Sequence, residues 1–312
     1  LGPLLENEGY VIHYASSKKN KIVRLLDMIK SCFFYSRKVD FVLIDTYSTQ
    51  NFYYAWIISK ICRLYGLPYI PILHGGNLPK RIQSHRKKSE ALFNNAIYNI
   101  APSLYLKEEF EQNGYTNVIH IPNTIEIQNY PFSKRKFDVP RLLWVRSFSK
   151  IYNPKLAVKV LKKLIKSHPN AELCMVGPDS DGSLKDVKDL AFQLNVNVKI
   201  TGKLTKDEWI NLAQDYNLFI NTTNFDNTPL SVIEAMALGL PVISTNVGGI
   251  PFLINNNDTG VLVGQNDENK MVEAIKDVLN NEVKRNKIIN NARLKVEEFD
   301  WQKVKKRWTD IL

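Results

Sequence analysis

The sequence predicts an α/β protein of two domains, each built on a parallel sheet. Three observations carry this. Short apolar, β-branched runs recur along the chain, apolar on both faces as strands buried between two helical layers are. Stretches of roughly 15–25 residues with helical patterning separate them, which implies right-handed βαβ crossovers. The length, 312 residues, corresponds to about two domains.

The elements follow in order. The opening residues, LGPLLENEGY, have the pattern of a helix end running into a turn, so an N-terminal segment is expected to be missing. Strands are expected at VIHY (11–14), FVLI (41–44), YIPIL (69–73), IYNIA (97–101) and VIHI (118–121). A second set is expected at LLWV (142–145), LCMV (173–176), VKIT (198–201), LFIN (218–221), PVIS (241–244) and GVLV (260–263). Helical spacing is clearest in KLAVKVLKKLIKSH (155–168). Between the two sets lies a polar stretch carrying Pro131 and Pro140, the one convincing linker. The expected organisation is a domain over 1–130, a linker over 131–140, a domain over 141–298 and a terminal helix over 299–312. Five strands against six again suggests that an initial strand and its turn are absent.

Composition excludes several classes. With 44% apolar and 23% charged residues the chain is neither disordered nor fibrous. Cys32, Cys62 and Cys174 lie far apart, so no disulfide framework or zinc box is expected, and five histidines without HExxH disfavour a local metal motif. No GxGxxG follows a strand and no P-loop is present, which removes the main support for dehydrogenase and P-loop readings. The uncharged run 235–257 is long enough to cross a bilayer, but its glycines and prolines read as helix, strand and loop. Without a visible signal peptide, a cytoplasmic setting is the default expectation. Residues 18–88 hold 14 Lys/Arg against 3 Asp/Glu, the whole net charge of +11. The stretches 18–38 and 80–88 carry most of it. An anionic membrane surface is the sharp expectation, a solvated basic face the plain one, and nucleic acid has no motif in support.

The richest window is NFDNTPLSVIEAMALGLPVISTNVGGIPFLI (224–254). Thr228 suits an N-cap and Pro229 a first helical position, so a helix is expected over 229–238, stopped by Gly239 and Pro241. That helix is apolar all round, hence buried, except for Glu234. A carboxylate there is costly unless it is paired or binds something. Asp226 lies just before the cap, and the free amides of the helix start form an anion site. The plain alternatives are a turn residue for Asp226 and a structural buried pair for Glu234.

The frame of Asp226, seven residues, Glu234, then AMALGLPVIS and Gly248-Gly249 resembles the retaining glycosyltransferases of family 4, the glycosyl transferases of group 1. The resemblance implies a GT-B fold: two Rossmann-like domains facing a cleft, with a C-terminal helix. It implies transfer of a sugar from a nucleotide-diphosphate donor to an acceptor hydroxyl with retention, without metal or cofactor. Glu234 would accept hydrogen bonds from ribose hydroxyls. Asp226, one methylene shorter than the family's usual Glu, would touch donor sugar hydroxyls. The backbone at Thr228, Pro229 and Leu230 would meet the diphosphate, although Pro229 has no N–H to give. WVRSFSKIYNP (144–154) is similar to the family's basic pair, with Arg146 in frame and Lys150 one residue early. Gly177, Gly202 and Lys203 resemble turns near the nucleotide. His74, in YIPILHGGN, would face the donor sugar, and Asn123, in HIPN, would lie by the hinge. Turn or cap roles remain the alternatives for His74 and Asn123, and simple exposure for Lys150. The family's glycine-rich first turn has no counterpart here.

Implied partners are the donor, an acceptor glycan or glycolipid and, from the charge, an anionic membrane surface. A peripheral station at the inner membrane face and a role in polysaccharide or glycolipid assembly follow as expectations. A GT-B epimerase and a non-catalytic nucleotide-sugar-binding module are the rival readings.

Overall fold

A computed structural model describes all residues, 1–312. The chain divides into two compact units, one comprising Leu1–Pro122 with Val304–Leu312, the other Asn123–Lys303.

Unit 1 holds four parallel strands in the order β1 (Val42–Thr46), β2 (Tyr69–Leu73), β3 (Asn99–Ala101) and β4 (Val118–His120). Helices Phe52–Leu64, Leu78–Ser84, Arg86–Phe93 and Leu104–Gln112 make the crossovers. The five residues of β2 are all buried, as a strand covered on both faces must be. The expected strand at 11–14 does not form. Val11 is 82% exposed, and these residues pair with no strand; His13 instead stacks on Tyr35 at 4.1 Å. An apolar run becomes a strand only where a sheet edge receives it, and composition does not reveal that edge.

Unit 2 holds six parallel strands: β5 (Arg141–Val145), β6 (Glu172–Val176), β7 (Lys199–Gly202), β8 (Leu218–Asn221), β9 (Val242–Thr245) and β10 (Val261–Val263). Their spatial order is β10-β9-β8-β5-β6-β7. Successive residues of β5 serve opposite cores: Leu142 and Trp144 enter one, Leu143 the other. The order reverses between β5 and β8, the topological switch point where open parallel sheets bind ligands at their strand carboxyl ends.

The stretch 131–140 is held to unit 2. The Arg135 guanidinium donates to the carbonyls of Tyr216 at 2.9 Å and Leu238 at 2.6 Å, and burial pushes its pKa down to about 10. Asn217 Nδ2 donates to the Lys136 and Val139 carbonyls. The run 235–257 contains a helix end, β9 and the short helix Ile250–Leu253. No helix is long and apolar enough to cross a membrane. The three cysteines are free and buried, and no cluster of three metal-binding side chains forms.

Candidate active site

The switch point of unit 2 places its functional side chains by strand ends. Arg146 follows β5, and its backbone N–H donates to the Val176 carbonyl at the end of β6. Gly177, at φ +148°, lies against the Arg146 carbonyl, where any Cβ would collide. The Gly177 N–H in turn donates to the Gly202 carbonyl at 2.8 Å, joining the β6 and β7 turns. Gly202 therefore acts through its backbone and does not line the adjoining hollow.

That hollow has a volume of about 210 Å³. Arg146, Ser147, Gly177, Pro178 and Lys203 line it from the strand ends, with Trp209 and Ser231 completing the wall. The Ser231 hydroxyl is buried without a hydrogen-bond partner. It sits in the first turn of the Leu230–Ala237 helix, whose leading amides have no intrahelical acceptor. Ser231 and Trp209 were not signalled by the sequence, because only the fold brings them to this wall.

The helix begins one residue later than the sequence suggests. Pro229, with ψ 119°, is its N-cap, and Thr228 makes no cap. The Thr228 carbonyl accepts from Asn123 Nδ2 at 3.3 Å, and the Pro229 carbonyl accepts the first intrahelical bond, from Val232. Asn123 thus ties down the segment just before the helix. Leu230, the first helical residue, is partly exposed.

Asp226 lies in the loop after β8. Its carboxylate forms an ion pair with Arg146 and accepts from the Asn227 N–H at 2.9 Å. Its carbonyl accepts from Gly249, and a Cβ on Gly248 would strike it, which accounts for the glycine pair. Arg146 also stacks on Tyr152 at 4.5 Å, its Nε is buried without a partner, and burial holds its pKa below the usual arginine range. Lys150 does not join Arg146 at the hollow. Its side chain lines a smaller one of about 140 Å³ with Asn153, Lys155 and Ser183, while its N–H donates to Asp181.

Glu234 is only 7% exposed and is partnered. The Tyr130 hydroxyl donates to its Oε1 at 2.7 Å and Lys206 Nζ lies 3.2 Å from the same oxygen. Burial, then the Glu234 charge, pushes the Tyr130 phenol well above its ordinary pKa. The sequence pattern shows neither partner, since Tyr130 is 104 residues away.

In unit 1, His74 stands at the carboxyl end of β2. Its Nε2 is 2.8 Å from Asp45 Oδ1 at the end of β1, and its ring stacks on Tyr47 at 5.2 Å. The hydrogen bond from His74 holds the Asp45 carboxyl below its ordinary pKa. Gly75 is needed because a Cβ would strike the Ser48 N–H. Asp45, inside an apolar strand run, was not signalled as a partner.

The profile of the family described as glycosyl transferases group 1 matches residues 126–295. An uncharacterized glycosyltransferase of Haemophilus influenzae is 25% identical over 207 residues, covering 66% of this chain and 57% of that protein. Another, from Methanocaldococcus jannaschii, is 25% identical over 243 residues, covering 76% of this chain and 66% of that one. The match thus spans less than two thirds of either relative. Among solved structures, Anabaena HepE in complex with UDP and glucose superposes with TM-score 0.81 at 17% identity, over 99% of this chain and 87% of that one. Sucrose-phosphate synthase from Thermosynechococcus elongatus gives 0.80 at 19%, over 99% and 90%. The fold is the α/β GT-B fold.

Proposed function

The chain belongs to the glycosyl transferases group 1 family, and from that premise we propose that it moves a sugar from a nucleotide-diphosphate donor to an acceptor hydroxyl with retention. One observation carries the reading. Arg146, Lys203, the unpartnered Ser231 hydroxyl and the first-turn amides of the Leu230–Ala237 helix converge at the switch point, as a departing diphosphate requires. The UDP in the Anabaena complex supports a nucleotide donor. At about 210 Å³ the hollow is below the roughly 300–1,000 Å³ that engulfs a drug-sized ligand, so it takes part of the donor only.

The Arg146–Asp226 pair gives the binding step a definite form. An entering diphosphate competes with Asp226 for the guanidinium fork, which matches phosphate oxygens geometrically. The carboxylate so released turns to donor sugar hydroxyls. Glu234, braced by Tyr130 and Lys206, accepts from the ribose. Gly177 and Gly202 let the two loops approach the nucleotide, while Asn123 holds the turn of Thr228, Pro229 and Leu230 at the phosphates. Lys150 stays outside this cluster, at the neighbouring hollow. His74, oriented by Asp45, hydrogen-bonds the donor sugar. The acceptor hydroxyl attacks from the leaving-group face and passes its proton to a phosphate oxygen. Charge on the diphosphate is met by protein groups, so we infer that no metal is needed. A place among the family 4 enzymes, in polysaccharide or glycolipid assembly at the inner membrane face, completes the proposal.

The test is a screen of UDP- and GDP-sugars scoring nucleotide diphosphate release, with Glu234→Ala as control and with EDTA added. Release that survives EDTA and vanishes in Glu234→Ala is expected. An isomerised donor without release would indicate an epimerase. Calorimetric binding without turnover would indicate a non-catalytic module.

A further inference from the structure

The Lys21–Tyr35 helix in unit 1 is apolar on the wrong side as well as the right one. Its inward face puts buried Cys32 and half-buried Leu25, Met28 and Ile29 against the core. The outward face of such a helix is normally polar. Here it carries Ile22, Leu26 and Phe33, which are 72%, 61% and 62% exposed. Spacings of four and eleven residues place all three on one stripe, over three turns. Phe33 meets Tyr65 edge-on at 5.8 Å, which extends the stripe to Tyr65 and to Leu64, 74% exposed, at the end of the Phe52–Leu64 helix.

Bases accompany this stripe: Lys30 follows Leu26 by four residues on the exposed side, and Lys18, Lys19, Arg37 and Lys38 flank the helix, whereas Arg24 lies two residues from both Ile22 and Leu26 and faces away. Residues 18–38 contain seven Lys/Arg and one acid, Asp27. None of the seven takes part in an ion pair. Lys21 Nζ reaches only the Gln50 amide oxygen, Arg24 Nε the Lys18 carbonyl, and Lys38 lies over the Phe34 ring at 4.1 Å. Several of the bases at 80–88 are likewise engaged within the fold. Arg81 donates twice to the Ser48 carbonyl, Arg86 pairs with Glu90, and Lys88 lies 4.9 Å from the Tyr53 ring centroid. Unengaged bases remain in both stretches, Lys30 on the helix with Lys18, Lys19 and Arg37 in its flanks, and Lys80 and Lys87 in the other; the first set accompanies an exposed apolar stripe.

We propose that the outward face of the Lys21–Tyr35 helix, with the end of the Phe52–Leu64 helix, docks on an anionic phospholipid bilayer. The apolar stripe enters the headgroup boundary and the unpaired bases meet lipid phosphates. Charge complementarity selects this occupant. A second copy related by a two-fold axis would set the same bases against themselves. A neutral apolar partner would leave Lys18, Lys19, Lys30 and Arg37 unanswered. At about 22 Å long, 15 residues at 1.5 Å each, the helix lies along the surface and does not span it. The inference is independent of the substrate reading, because docking is measured without donor or acceptor.

Co-sedimentation of the whole chain with phosphatidylcholine vesicles, with and without phosphatidylglycerol, tests it. Pelleting only with the anionic vesicles is expected, weakened but not abolished by salt because the stripe inserts. Leu26→Glu with Phe33→Glu should abolish it, and both positions are exposed enough to leave the melting temperature unchanged. Lys30→Ser with Arg37→Ser should lower the partition coefficient by roughly five-fold per base removed. Leu294→Glu, at an exposed apolar position of unit 2, should bind as the parent does. Failure to pellet with anionic vesicles, or parent-like pelleting of both double variants, would overturn the proposal. Dimerisation in light scattering, lost in Leu26→Glu/Phe33→Glu without vesicle binding, would replace it with a contact between copies.

Discussion

Removing the Tyr130 hydroxyl should cost unit 2 both stability and a positioned carboxylate. The ring of Tyr130 is 1% exposed and its hydroxyl donates to Glu234 Oε1 at 2.7 Å. Tyr130→Phe keeps the ring packing and deletes one charge-assisted hydrogen bond in a buried place. Such a bond is worth about 1.5–3 kcal/mol. Lys206, 3.2 Å from the same oxygen, stays and limits the loss, so about 2 kcal/mol is the expected cost. For a folding unit of this size that corresponds to a fall of roughly 4–8 °C in Tm. Calorimetry of parent and variant measures it directly. There is also a pH signature. The folded phenol holds its proton above the ordinary value of about 10, so the unfolded chain ionises first. The stabilisation is complete below about pH 10 and is lost as pH rises beyond it. The parent should therefore lose stability more steeply than Tyr130→Phe above about pH 10. Equal Tm values, or parallel alkaline profiles, would show that the Tyr130–Glu234 bond contributes nothing net, and the bracing argument would fail.

Three further outcomes are expected. Arg146→Lys keeps the charge but loses the fork, so kcat should fall more than KM rises; a change confined to KM would assign Arg146 to ground-state binding alone. Asp226→Glu should shift donor sugar preference while leaving affinity for free nucleotide diphosphate nearly as it was, which competition calorimetry with both ligands checks. Burial pushes His120 down to about 4, so the unfolded chain binds the proton first on acidification. Stability present above about pH 6.5 should decline as pH falls toward 4, and His120→Gln should flatten that slope in denaturant titrations.

Much of the site was legible because its signals are local. The Asp226-to-Glu234 frame, the apolar helix and the glycine pair lie within one window, and short-range sterics and polarity fix their meaning. The helix begins one residue later than expected because Pro229 takes an extended ψ of 119°, whereas a proline's locked φ suits a helical and an extended residue alike. Separation along the chain likewise hid Tyr130, 104 residues away, from the reading of Glu234, and the fold alone brings Lys206 to the same carboxylate. The resemblance paired Lys150 with Arg146, one residue out of frame, and Lys150 lines a neighbouring hollow.

By itself the sequence determined the α/β class, ten of the eleven expected strands and the placement of all excess charge in residues 18–88, since continuous apolar runs and charge are properties of short segments. The tertiary structure alone decided which runs found a sheet. It left 11–14 unpaired because no strand edge receives those residues. It alone decided the strand order β10-β9-β8-β5-β6-β7, and with it the meeting of Arg146 and Asp226 at the switch point, because order depends on which crossover packs on which side of β5. And it alone separated the bases already used inside unit 1, such as Arg81, Arg86 and Lys21, from those left without a partner, such as Lys30, since a charge count is blind to the partner each charge finds on folding.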